Sequence, residues 1–124
     1  MIQASELRIG NWVHPIFPLK VVRITSTDIY CDFDGNEGDV WEFTPKDLDP
    51  IPLTPELLEK AGFKKSITNT CYGIITESGE DRISIFADGR MKLHATDLSV
   101  KVNYVHQLQN LFWCLTGKEL NIKL

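Results

Sequence analysis

Tyr104-Val105-His106-Gln107-Leu108-Gln109-Asn110-Leu111-Phe112-Trp113-Cys114-Leu115 is the stretch on which the fold turns. At 100° per residue, Tyr104, Val105, Leu108, Leu111, Phe112 and Leu115 form one apolar stripe, and His106, Gln109, Asn110 and Trp113 lie opposite. The pattern predicts an amphipathic helix capped by Asn103 and stopped near Gly117, with its apolar side on a sheet and its amide-rich side toward solvent. A tryptophan beside hydrogen-bonding amides has the composition of a recognition patch, so His106, Gln109, Asn110 and Trp113 are the candidate partner-binding residues. The plainer alternative packs Trp113 against neighbouring structure.

Upstream, the sequence supplies the sheet for that helix. Strands are expected at Tyr72 to Glu77, Arg82 to Ala87 and Arg90 to His94. Asp88-Gly89 reads as a two-residue hairpin, because both central residues must tolerate positive φ. That register sets Phe86 opposite Met91 and Ile85 opposite Lys92, and puts Phe86, Met91 and Leu93 on the face turned to a helix. An earlier helix opens at Thr54, with Pro55 in the tolerated first position, Glu56 at the positive dipole end and Gly62 as the left-handed stop. The final Leu120-Asn121-Ile122-Lys123-Leu124 alternates as a short strand would.

Before this lies Asp49-Pro50-Ile51-Pro52-Leu53-Thr54-Pro55, whose prolines forbid a continuous helix or central strand. The boundary falls there. Residues 1–53 read as short strands at Leu7 to Val13, Lys20 to Thr25, Ile29 to Phe33 and Val40 to Phe43. Such strands hide their apolar faces most economically by curling into a small barrel, Src-homology-like or Tudor-like by analogy of strand count and length. The expected class is α+β: an N-terminal β-barrel-like lobe over 1–53, then a helix, antiparallel meander and helix over 54–124.

With 124 residues, the chain can bury about two-thirds of its unfolded surface, enough for one core or two small lobes. Hydrophobic residues at 43% and charged residues at 24% exclude a wholly disordered, collagen-like or coiled-coil chain. Neither a basic-then-apolar start nor an apolar run of membrane length is present, so a cytoplasmic location with no membrane association is expected. Cys31, Cys71 and Cys114 lack paired short spacing, which suggests reduced thiols.

Three blocks carry a family likeness. Glu6-Leu7-Arg8-Ile9-Gly10-Asn11-Trp12-Val13, Pro50-Ile51-Pro52-Leu53-Thr54-Pro55-Glu56 ending in Ala61-Gly62-Phe63, and Val105-His106-Gln107-Leu108-Gln109-Asn110-Leu111-Phe112 with Leu115-Thr116-Gly117-Lys118-Glu119-Leu120 resemble a family of short uncharacterised proteins. Members are typical of Bacteroides-type bacteria and their prophages or mobile elements. The resemblance implies a genomic origin and assigns no activity, cofactor or catalytic residue.

Candidate chemistry is sparse. Asp32, Asp34 and Asn36 copy the opening ligand spacing of a calcium loop, with Glu37 and Asp39 nearby, but Glu37 stands where glycine is needed and Phe43 where a bidentate glutamate belongs. An acidic hairpin turn fits better. His14, His94 and His106 form no metal-ligand spacing, and Cys114 is about 80° around the helix from His106 and two turns away, so no local nucleophile and base pair forms. No catalytic residue, metal or cofactor is implied, although a pair assembled across the fold, as in a small metal enzyme, stays open.

Charge is uneven. Residues 1–53 hold four basic against nine acidic residues, and residues 54–124 hold nine against eight, for a net −4. Phosphate affinity needs lysine and arginine, so the acidic half disfavours general nucleic-acid binding. Lys60, Lys64 and Lys65 at the exit of the first helix are the basic cluster, and three lysines there also complement a helix dipole. The leading expectation is a non-catalytic cytoplasmic interaction protein of mobile-element type that binds a protein partner through the polar side of the last helix. A nucleic-acid accessory factor is the alternative.

Overall fold

The computed structural model describes residues 2–15, 18–32, 40–66, 71–75, 82–86, 88–93, 96–122 and 124. The calcium-like positions Asp34, Asn36, Glu37 and Asp39, together with Phe33, His94 and the expected strand ends Glu77 and Ala87, lie outside the described residues. The fold is α+β, with two antiparallel sheets and two α-helices among the described residues. The chain divides into two compact units. The first is Met1–Pro52 with Tyr104–Asn110 and Leu124; the second is Leu53–Asn103 with Leu111–Lys123.

The first unit carries β1 (Trp12–Val13), β2 (Leu19–Ile24), β3 (Ile29–Asp32) and β4 (Val40–Phe43), paired in that order as a meander. Period-two alternation points Leu19, Val21, Ile29 and Cys31 into a core with Ile2, Val13 and Leu48, while Trp41 and Phe43 pack on its edge. Cys31 is opposite Val21 and Trp41, and burial, with the neighbouring Asp32 adding to it, pushes its thiol up to about 12. No pairing of β1 with β4 closes the sheet among the described residues.

The first expected strand is corrected. The strand is only Trp12–Val13, because Arg8 to Asn11 form a turn that keeps just two backbone bonds to Val21: Asn11 N–H donates to Arg8 O at 3.1 Å, and Gly10 takes φ +98°. An L side chain rarely adopts that φ, and glycine does so freely.

In the second unit, α1 (Pro55–Lys60) starts as its sequence requires, with Thr54 Oγ1 accepting from Leu57 N–H at 3.2 Å. It ends with Gly62 at φ +96° and Phe63 N–H donating to Leu58 O at 3.0 Å. The sheet that follows has five strands in sequence order: β5 (Lys64–Lys65), β6 (Cys71–Ile75), β7 (Arg82–Phe86), β8 (Arg90–Leu93) and β9 (Thr96–Lys101). Strands β5 and β9 go beyond the expected meander. Among the described residues of the chain end, Leu120, Asn121, Ile122 and Leu124 form no strand, although Leu120 and Ile122 are buried.

The hairpin register differs from expectation by one residue. Ile85, not Phe86, is opposite Met91, Ser84 is opposite Lys92, and Ile83 is opposite Leu93. Gly89, at φ +89°, donates its N–H to Phe86 O at 2.9 Å, so the connection spans 87–89. The competing register would place Ser84 and Phe86 inward and turn two isoleucines out. Burying an isoleucine is worth about 1.5–3 kcal/mol, so the observed pairing, with Ile83, Ile85 and Met91 all buried, wins.

The closing helix, α2 (Val105–Thr116), begins one residue later than the expected cap implies, after Tyr104 bridges to Pro52. It ends at Gly117, whose N–H donates to Trp113 O at 2.8 Å with φ +71°. Its residues through Asn110 sort with the first unit and those from Leu111 with the second, across the boundary set by the proline segment. No helix among the described residues is long and apolar enough to cross a membrane.

Candidate functional site

The polar side of α2 does not face solvent as expected. His106 and Gln109 are buried and Asn110 is half-buried, within the first unit. The reason is the turn at Arg8 to Asn11: Gly10 N–H and Asn11 O still bond to Val21, but Glu6 O, Gly10 O and Trp12 N–H take side-chain partners from α2. Gln109 Oε1 accepts from Trp12 N–H at 2.8 Å, and Gln109 Nε2 donates to Gly10 O at 3.0 Å. Asn110 Nδ2 donates to Glu6 O at 2.8 Å, while Asn110 Oδ1 accepts from Asn11 Nδ2 at 2.8 Å and from Arg8 Nε at 3.2 Å. Asn11 closes the turn, its Oδ1 accepting from Arg8 N–H at 2.7 Å. These amides are internal joints.

His106 has no such role. Both ring nitrogens are buried without a hydrogen-bond partner, and its ring stacks on Tyr104 at 6.0 Å between centroids. Burial lowers its pKa below the ordinary histidine value, with Glu6 acting weakly the other way. Trp113, on the next turns of α2, keeps 43% of its surface exposed. The four residues therefore do not make one outward patch.

The lysine cluster also divides. Lys60 lies in the exposed last turn of α1, and Lys64 and Lys65 form β5, where alternation sends them to opposite faces. Lys65 is opposite Tyr72, and Lys64 opposite Gly73. The basic character of this unit is concentrated elsewhere.

Pairing defines the two faces of the five-stranded sheet. Tyr72, Ile74, Ile83, Ile85, Met91 and Leu93 share one, by the registers of β6, β7 and β8. The helices line that side: Ala61 and Ile74 share a cavity of about 150 Å³ with Phe112 and Leu120. A Cβ at Gly62 would lie 3.5 Å from Ile74 Cδ1. On the other face, Lys64, Gly73, Ser84, Lys92 and Asp97 make one row, and Cys71, Phe86, Arg90 and Lys101 the next. Ile75 is opposite Arg82 at the near edge and is 58% exposed.

This second face is where the sequence reading is most displaced. The register shift brings Phe86 onto it, with the Arg90 guanidinium 5.1 Å and the Lys92 ammonium 5.4 Å from the ring centroid. Arg90 Nε is also held by Asp88 Oδ2 at 2.8 Å. Arg90 N–H donates to the same carboxyl, which keeps Asp88 below the usual carboxylate pKa. A groove of about 560 Å³ runs over Gly73, between Lys64 and Arg82, with Ser66 and Ser84 along it, and Phe86 lines a separate cavity of about 220 Å³ with Leu53, Pro55 and Leu58. Gly73 has no side chain to fill the floor.

No family model, no curated protein and no solved structure matches the chain. The functional reading therefore rests on side-chain geometry. Among the described residues, no group of three His, Cys, Asp or Glu side chains could hold a metal ion. The described chemistry is that of a surface: cations around an aromatic ring, hydroxyls at hand, and an open floor.

Proposed function

We propose that the protein is a non-catalytic binding module whose contact surface is the open face of the β5–β9 sheet. The observation that carries this reading is the position of Phe86, half-buried beside Arg90 and Lys92 on the sheet face opposite Ile83, Ile85 and Met91. A large aromatic flanked by arginine has the composition of an interface anchor. The groove over Gly73 adds concavity on the neighbouring row of the same face. The inward bonding of Gln109 and Asn110 counts against the amide side of α2 as the primary contact.

The remaining expectations join this proposal. The antiparallel bridge between His14 and Asp49 returns the chain, after the 3-10 turn Pro45–Asp47, to the end of β1, which favours a barrel-like first lobe. The family likeness favours a phage or mobile-element origin, and three unpaired thiols suit the cytoplasm.

The test is capture from whole-cell extract by immobilised full-length protein, comparing wild type with Lys92→Glu/Lys101→Glu and with Trp113→Ala. The expected result is loss of the captured material, protein or nucleic acid, in the charge-reversal variant alone. Capture that survives charge reversal and disappears with Trp113→Ala would move the site to α2. Absence of capture by the wild type counts against the module reading itself.

A further inference from the structure

We propose that the open face of the second sheet binds single-stranded nucleic acid, with a base on Phe86 and phosphates on Lys64, Arg90, Lys92 and Lys101. The proposal deepens the reading above and rests on that face being the contact surface. A net charge of −4 argues against such binding only if charge is spread evenly, and it is not. On this face the described residues present Lys64, Arg82, Arg90, Lys92 and Lys101 against two carboxylates, Asp97 and the Asp88 that pairs with Arg90. That balance is local and positive, and phosphate affinity depends on local neutralisation.

The arrangement favours a single strand over other polyanions. Single-strand binders combine a cationic track with an aromatic platform, because every base has a π-face to stack and the backbone is charged at each nucleotide. Phe86 is mid-sheet on β7, with Arg90 next to it on β8 and Lys101 next to Arg90 on β9. Lys92 and Lys64 flank the adjoining row at Ser84 and Gly73. The strand would therefore run across the β-strands, with its bases toward the ring. Arg82 follows Glu77, Glu80 and Asp81 in a net acidic stretch of sequence, and the phosphate track is assigned to the other four cations. A stacking base displaces Arg90 and Lys92 from over the Phe86 ring toward the phosphates, and Arg90 leaves Asp88 at little cost, since both side chains of that pair are about half exposed, at 48% and 52%.

Three or four phosphates neutralised on a single strand give a slope of log K against log salt of about −2 to −3. Affinity should then fall about 15- to 60-fold between about 50 and 200 mM salt. Base stacking on one aromatic makes Phe86→Ala weaken binding by about 5- to 150-fold. The experiment is fluorescence anisotropy of labelled oligothymidylate and oligouridylate, about 20 nucleotides long to exceed one site, titrated with the full-length protein. A Lys92→Gln/Lys101→Gln variant, changed only at side chains on this face, should flatten the slope by about 1.4. It serves as the readout if Phe86→Ala fails to fold. Gly73→Val gives an independent check, because a Cβ there meets nothing closer than Ile83 O at 3.6 Å, yet the side chain fills the groove floor.

Saturable binding with that slope, weakened by Phe86→Ala or flattened by the lysine pair, supports the proposal. No saturable binding at low salt overturns it. Equal affinity for a heparin fragment overturns it too, since that probe has charge without bases. Nuclease-resistant capture from extract that still depends on Lys92 and Lys101, with no oligonucleotide binding, leaves the face as a contact surface for an acidic protein and removes this inference alone.

Discussion

Replacing Gln109 with methionine, which has nearly the same volume and cannot hydrogen-bond as an amide does, tests whether α2 is joined to the Arg8–Trp12 turn by its polar side. In the wild type, Gln109 serves Trp12 N–H at 2.8 Å and Gly10 O at 3.0 Å. Trp12 is 1% exposed, so water cannot replace the acceptor that its N–H loses, whereas Gly10 is half-buried and recovers part of its own loss. At about 1–3 kcal/mol for each unsatisfied buried group, the loss comes to about 2–4 kcal/mol. Small domains unfold with urea slopes of about 1–3 kcal/mol/M, so the midpoint should fall by about 1–2 M with the slope unchanged. Far-UV circular dichroism in urea reads this directly. A Gln109→Met loss below about 0.5 kcal/mol, the range of an ordinary surface change, would refute the internal-joint reading.

Two further outcomes follow from buried groups. His106 has its pKa lowered in the fold, so below its ordinary value of 6.5 the unfolded chain binds the proton first. Stability should then be lost as pH falls through and below that value, by up to about 1.4 kcal/mol per pH unit from this one group. His106→Leu should show a smaller drop in urea midpoint between neutral and mildly acidic buffer, and an identical drop would show that the loss comes from other groups. Gly89→Ala should cost about 2 kcal/mol, since an L residue is strained at its φ of +89° and the new Cβ would come 2.6 Å from Asn103 Oδ1. Thermal unfolding reads it, and an unchanged midpoint would mean that the 87–89 turn is looser than its hydrogen bonds indicate.

How much of this was legible in the sequence depended on how local each deciding contact is. Thr54, Pro55, Gly62 and Gly117 act on neighbours within one turn, and both helices obey them. Leu98 and Val100 alternate with polar residues, so β9 was there to be read. Asp88-Gly89 permits loops of two or three residues, and the choice between them is made by burial of Ile83 and Ile85, a tertiary effect outside any hairpin signature. The amides of α2 show the same limit. Periodicity says which side of a helix is polar, but the partners of Gln109 and Asn110 are 97 to 104 residues upstream and invisible to a local pattern.

The candidate surface was missed for a linked reason. On the two-residue reading Phe86 is a core residue, and without it Arg90, Lys92 and Lys101 are three cations scattered along a meander. One step of register moves Phe86 among them. The same step puts Ile83 and Ile85 inward, so the preference that stabilises the core also exposes the aromatic ring and gathers the basic side chains around it. Core and contact surface are therefore coupled. A substitution that restored the shorter loop would return Phe86 to the interior and remove the binding face, whereas Phe86→Ala would remove the ring and leave the strand pairing that presents it.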